Sequence, residues 1–131
     1  VAMGQLGNSG GQKFWSWYGF ESRVEWCACF ASWCAEQSGM VASGQVLKFS
    51  SCAVGASWFQ GQGRWKGKGY TPSAGDFIFF DWNKDGQVDH VGIVVNVANG
   101  RVNTIEGNTS NMVARRSYQL GGIVIVGYGY I

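Results

Sequence analysis

The sequence predicts an α+β fold, with N-terminal helices packed on a C-terminal antiparallel β-sheet. Two observations carry that reading. Apolar residues recur at helical spacing only in the first half, between Ser22 and Gln60. From Asp76 onward the pattern changes to short apolar, β-branched runs separated by glycine-containing turns. Helices first and strands afterwards is the order of an α+β chain.

The elements follow in sequence. Val1–Leu6 resembles the end of a short helix, and residues 7–11 (Gly-Asn-Ser-Gly-Gly) form a loop. The aromatic-dense stretch 13–20 has no clean period and reads as irregular. Ser22 and Glu25 are spaced as a capping box, and Cys27, Phe30, Ala31 and Cys34 then fall on one helical face up to Ser38-Gly39. A helix over about residues 23–38 is expected. A second runs from Ser51 to Gln60, capped by Ser50 or Ser51. Residues 61–72 are loop by composition. Five strands are expected at 76–80, 91–97, 101–105, 113–118 and 123–128, with Asp85-Gly86, Asn99-Gly100 and Gly121-Gly122 as turns.

With 131 residues, 46% of them hydrophobic, the chain has material for one core and one domain spanning 1–131. A net charge of +2 argues against a nucleic-acid binder, and no apolar run is long enough to span a membrane. The chain opens on Val1, and residues 1–11 lack the layout of a signal peptide, so either a removed export signal or a domain cut from a longer protein is expected.

Cysteine and histidine restrict the chemistry further. The four thiols are Cys27, Cys29, Cys34 and Cys52, and His90 is the single histidine. Their spacing lacks the paired knuckles of a structural zinc site, and one bridge at most, to Cys52, is feasible. The remaining readings are a Cys–His pair doing nucleophilic chemistry or a set of bland buried thiols. Such chemistry needs a thiolate, an imidazole to relay its proton and a polar group to orient the imidazole. Cys27 is the thiol nearest the start of the first long helix, where unpaired N–H groups favour a thiolate; Cys52, near the start of the next helix, is the alternative. His90 opens a strand after a turn. Glu106 and Asn108 follow the strand 101–105 and are placed to approach the imidazole from an adjacent strand.

Residues 26–34 (Trp-Cys-Ala-Cys-Phe-Ala-Ser-Trp-Cys) closely resemble the nucleophile segment of the CHAP family, the cysteine- and histidine-dependent amidohydrolases and peptidases. Residues 75–82 with 89–94 resemble its histidine segment, and Thr104-Ile105-Glu106-Gly107-Asn108 its third. The resemblance implies a papain-like fold and cleavage of an amide bond in peptidoglycan, by an endopeptidase or an N-acetylmuramoyl-L-alanine amidase. It implies Cys27 as nucleophile, His90 as general base and then acid, Glu106 as orienting carboxylate and Asn108 as a further polar group at the site. It further implies a monomer that requires no cofactor and acts outside the cell or at the cell wall, secreted or phage-delivered. The competing functions are a non-catalytic peptidoglycan-binding module and a papain-like thiol protease acting on proteins. The intact set of polar positions favours the hydrolase over the binding module.

Weaker signals surround this set. Trp15, Trp17 and Tyr18 precede the nucleophile and are candidates for a substrate-binding wall, one of the three being expected at the cleft. Asp81, Asn83, Asp85 and Asp89 have the spacing of a calcium loop, but Gly92 stands where a bidentate carboxylate is needed. A polar hairpin tip is the competing reading, and calcium is kept as possible. Arg64, Trp65, Lys66 and Lys68 form either a contact for anionic polymer or a solvated connection.

Overall fold

The computed structural model describes residues 1–131. A single 3₁₀ turn (Met3–Gln5) leads into helix α1 (Gln12–Tyr18), followed by α2 (Cys27–Gln37) and α3 (Cys52–Gly61). Six strands complete the chain: β1 (Trp65–Gly67), β2 (Phe77–Phe80), β3 (His90–Ala98), β4 (Arg101–Thr109), β5 (Met112–Gln119) and β6 (Ile125–Gly129). They form one antiparallel sheet in the order β1-β6-β2-β3-β4-β5. The arrangement is papain-like, with α2 packed across β3 and β4.

The core divides between the two faces of the sheet. On the helical face, Ala28, Ala31 and Ala35 of α2 and Ala56 and Phe59 of α3 pack against Phe77, Phe79 and Val91. Small residues on α2 let the helix backbone approach the sheet. Gly107 of β4 belongs to the same economy, because a Cβ there would meet Phe30 Cβ at 2.5 Å. A second group joins α1 to α2 and β4 through Phe14, Trp26, Phe30 and Ile105. On the opposite face Ile78, Phe80, Val94, Val102, Ile125 and Tyr128 form a third cluster.

Three sequence expectations are corrected. The stretch 13–20 is helical over Gln12–Tyr18, with Phe14 buried against Trp26, Phe30 and Trp33. Tertiary burial of one ring, rather than periodicity, fixes that helix. The helix expected from residue 23 begins at Cys27, and its N-cap residue Trp26 makes no side-chain cap. The segment 61–72 contains β1, whose pairing with β6 needs Gly127: a Cβ there would strike the Trp65 indole at 2.5 Å.

Candidate active site

The late start of α2 comes from Trp26. Its indole is fully buried, stacks on Phe14 at 5.6 Å and donates Nε1–H to Asn111 Oδ1 at 3.2 Å. With Trp26 so anchored, Cys27 is the first helical residue. First-turn N–H groups have no intrahelical acceptor, and their partial positive charge favours an anion at this position. The Cys27 N–H is also free to receive an oxyanion.

Cys52 occupies the equivalent position on α3. Ser51 caps that helix, its Oγ accepting from the Val54 N–H at 3.4 Å. The two helix starts converge, and Cys27 Sγ lies 3.3 Å from Cys52 Sγ. All four cysteines are free thiols. Cys29 and Cys34 pack elsewhere, with Phe14, Trp26 and Phe30.

His90 is the first residue of β3 and is mostly buried, at 7% exposure. Its Nε2 lies 2.8 Å from Glu106 Oε1, which leaves Nδ1 as the ring nitrogen for the thiol. Glu106 comes from β4, which extends four residues beyond the expected end at Ile105. The carboxylate is only 1% exposed, yet both oxygens are satisfied. Oε2 accepts from Thr104 Oγ1–H at 2.5 Å and from the Tyr118 hydroxyl at 2.7 Å. Three donors on one buried carboxylate fix its orientation and, through it, the plane of the imidazole.

The electrostatics follow from these contacts. The Cys52 hydrogen bond, with the hydrogen bond and charge of His90, holds the Cys27 thiol well below the ordinary thiol range despite its burial. Burial pulls His90 downward, but hydrogen bonds and charge from Cys27 and Glu106 outweigh it and push the imidazole up to about 9. The hydrogen bond to Cys27 and burial drive Cys52 far above the usual thiol range. Burial pushes Cys29 up to about 11 and Cys34 up to about 12. The contacts thus favour the charged forms of both Cys27 and His90.

Cys27, His90 and Glu106 line a cleft of about 530 Å³ together with Glu25, Trp82, Asp89, Asn108, Thr109, Ser110, Arg116 and Tyr118. Asn108 sits on the rim with φ of 58°, at an irregularity in the β4–β5 pairing. Its Oδ1 accepts from Arg23 Nη2 at 2.8 Å and its Nδ2 donates to Glu25. It makes no hydrogen bond to His90. Trp15, Trp17 and Tyr18 are not among the lining residues. Trp15 donates to the Gly10 carbonyl, while Trp17 and Tyr18 lie under Lys48. The aromatic walls are instead Trp82, stacked on Phe80 at 4.7 Å, and Tyr118. An exposed Trp next to a histidine segment was the available signal for the first; nothing local marked Tyr118.

The loop 81–89 spends its carboxylates on its own backbone. Asp81 accepts from the N–H groups of Asp85 and Gly86, Asp89 from Trp82, and Asp85 from Gln87. Asn83 makes no side-chain hydrogen bond, and no group of three or more His, Cys, Asp or Glu side chains is arranged to hold a metal ion. Arg64 is likewise engaged, donating to the Gln45 carbonyl and lying over Trp58.

A family model of the CHAP domain matches residues 17–108, which include Cys27, His90, Glu106 and Asn108. The chain belongs to the CHAP domain family. Two solved structures of Ly7917 share its fold. One is 18% identical, with a TM-score of 0.58, covering 97% of this chain and 57% of that one. The other, described as holding the hydrolyzing product of MDP, is 22% identical, with a TM-score of 0.53 over 78% of this chain and 52% of that one. The present chain thus spans little more than half of the Ly7917 chain. No curated protein matches the sequence. Within this CHAP domain, β5 and β6 lie beyond the matched segment, yet β5 supplies Tyr118 to the carboxylate and Arg116 to the cleft. No helix is long and apolar enough to cross a membrane.

Proposed function

We propose that this CHAP domain hydrolyses an amide bond of peptidoglycan by a thiol mechanism, as an endopeptidase or an N-acetylmuramoyl-L-alanine amidase. The observation that carries the reading is Cys27 at a helix start and His90 lining one open cleft, with the imidazole held by a buried, fully satisfied Glu106 carboxylate. Cys27 Sγ attacks the carbonyl carbon, and the oxyanion forms beside the Cys27 N–H at the helix start. The His90 imidazolium gives its proton to the leaving amine. The neutral imidazole then activates water to hydrolyse the acyl-enzyme, while Glu106 holds the ring and balances its charge.

The cleft suits a polar peptide. Trp82 and Tyr118 offer flat walls, and Arg116 faces the cleft with no carboxylate within ion-pair distance. Asn108 closes the rim with Arg23 and Glu25. The reading includes a monomer acting on the cell wall from outside, with no cofactor in the chemistry; the satisfied carboxylates of the 81–89 loop support a turn in preference to a calcium site.

The test is digestion of purified peptidoglycan by the protein and by Cys27→Ala, with fragments read by mass spectrometry. Soluble muropeptides from the first and none from the second are expected. Free stem peptides identify an amidase; opened cross-links or shortened stems identify an endopeptidase. Binding to several wall types without release by either protein would overturn the hydrolase reading.

A further inference from the structure

Cys52 has no step in the hydrolysis, yet its side chain is in direct contact with the nucleophile. Its sulfur lies 3.3 Å from Cys27 Sγ, and the two belong to the same core cluster, behind the cleft floor. Cys29 and Cys34 pack in a different cluster, with Phe14, Trp26 and Phe30. Cys27 lines the cleft and meets small solutes, whereas Cys52 is not among the lining residues. Both thiols are buried, but one opens on the cleft and the second is in contact with it behind that opening. That is the layout of an attacking thiol with its resolving partner.

We propose that Cys27 and Cys52 form a peroxide-sensitive pair, in which Cys52 captures oxidised Cys27 as a reversible disulfide that switches the nucleophile off. This rests on Cys27 being the reactive thiolate of the proposed function. In the first step Cys27 thiolate attacks one oxygen of hydrogen peroxide. The O–O bond breaks, the second oxygen leaves as hydroxide and takes a proton to become water, and Cys27 becomes a sulfenic acid. In the second step the Cys52 sulfur attacks the Cys27 sulfur. The S–O bond breaks, the hydroxyl leaves with the Cys52 proton as water, and the S–S bond forms. Across both steps the two thiols lose two electrons and one peroxide gains them. A dithiol reductant reverses the result by exchange.

Closing the bond requires the sulfurs to approach from 3.3 Å to about 2.05 Å. Each side chain sits on the first residue of its helix, so rotation about Cα–Cβ or a small shift of a helix start supplies this without unpacking either helix. The disulfide removes the thiolate from the cleft. It also halts oxidation at a recoverable stage, because a sulfenic acid left without a partner proceeds to sulfinic and sulfonic acids.

The experiment treats the reduced protein and its Cys52→Ala and Cys52→Ser variants with hydrogen peroxide. Thiols are then alkylated, the protein is digested with trypsin, and masses are measured before and after dithiothreitol. Cleavage at Lys48 separates Cys52 from the other three thiols, and fragmentation assigns the partner. The expected result is a protein lighter by two hydrogens, with one cross-linked peptide joining Cys27 to Cys52 and full reversal by dithiothreitol. Both variants are expected to gain two or three oxygens on Cys27 and not to recover. Irreversible Cys27 oxidation in the parent to the same extent as in the variants would overturn the proposal, as would a bridge from Cys52 to Cys29 or Cys34. The readout is mass, so it is independent of whether peptidoglycan is the substrate. An unreactive Cys27 in all three proteins would overturn the nucleophile assignment together with the pair.

Discussion

Gly92 of β3 lies directly against Glu106 of β4: a Cβ at Gly92 would come within 2.6 Å of Glu106 Cγ. The carboxylate occupies the space that any other residue at 92 would take. Gly92→Ala is therefore expected to displace Glu106 from His90 and lower kcat by at least about tenfold, on the scale of misplaced catalytic groups. Circular dichroism with kinetics on a defined muropeptide checks this, the spectrum staying as in the parent.

Glu106→Gln keeps the shape of the side chain but removes the charge that helps push His90 up to about 9. The alkaline limb of kcat/KM should move to lower pH, and kcat/KM at neutral pH should fall by about 10²–10⁴-fold. A pH profile of the two proteins decides it. An alkaline limb unchanged in the variant would remove Glu106 from the mechanism.

The parent profile itself is predicted. Activity requires Cys27 deprotonated and His90 protonated. It should rise on an acid limb well below the ordinary thiol range and fall on an alkaline limb near 9. Removing the donor in Cys52→Ala weakens the thiolate and moves the acid limb upward; Cys52→Ser, which keeps a hydroxyl donor, moves it less. Iodoacetamide alkylation rates against pH report the same titration without substrate.

Arg116 meets no acidic partner in the protein and opens on the cleft. Arg116→Ala is expected to raise KM about tenfold for stems carrying a free carboxylate while leaving kcat near the parent value, the signature of lost ground-state binding. Amidated stems should show little difference between the two proteins.

Ser32 governs stability rather than chemistry. Its buried Oγ donates to the Phe49 carbonyl at 2.7 Å and accepts from the Phe49 N–H at 2.9 Å, tying α2 to the segment before α3. Ser32→Ala leaves both backbone groups unpaired and should cost about 1–3 kcal/mol, measured by urea unfolding.

The α+β order, the two longer helices and five of the six strands were legible because each has its own period or turn signal. That Cys27, His90 and Glu106 share one cleft was legible because they lie in three motif-dense segments. Other features had no local signature. The start of α2 depends on Trp26 docking against Phe14 and Asn111, contacts made across the whole chain. That docking also overrides the Ser22–Glu25 capping pattern. The cleft walls come from Trp82 and Tyr118, which the sheet brings together at 5.7 Å from separate strands and turns. Trp15, Trp17 and Tyr18 are near Cys27 in sequence, but α1 turns them toward Gly10 and Lys48 instead. The spacing at 81–89 reads two ways in sequence because turns and cation loops draw on the same side-chain oxygens.

The strand order has a bearing on how the molecule is born. β6 is the last element in the chain, yet it lies inside the sheet between β1 and β2, with Tyr128 fully buried. On a ribosome, the nucleophile and histidine segments emerge well before Ile125–Gly129. Until those residues are released, β1 has no partner and β2 has an open edge. The domain can close only once Ile125–Gly129 has left the ribosome, so the cleft is completed well after the segments bearing its thiol and imidazole have emerged.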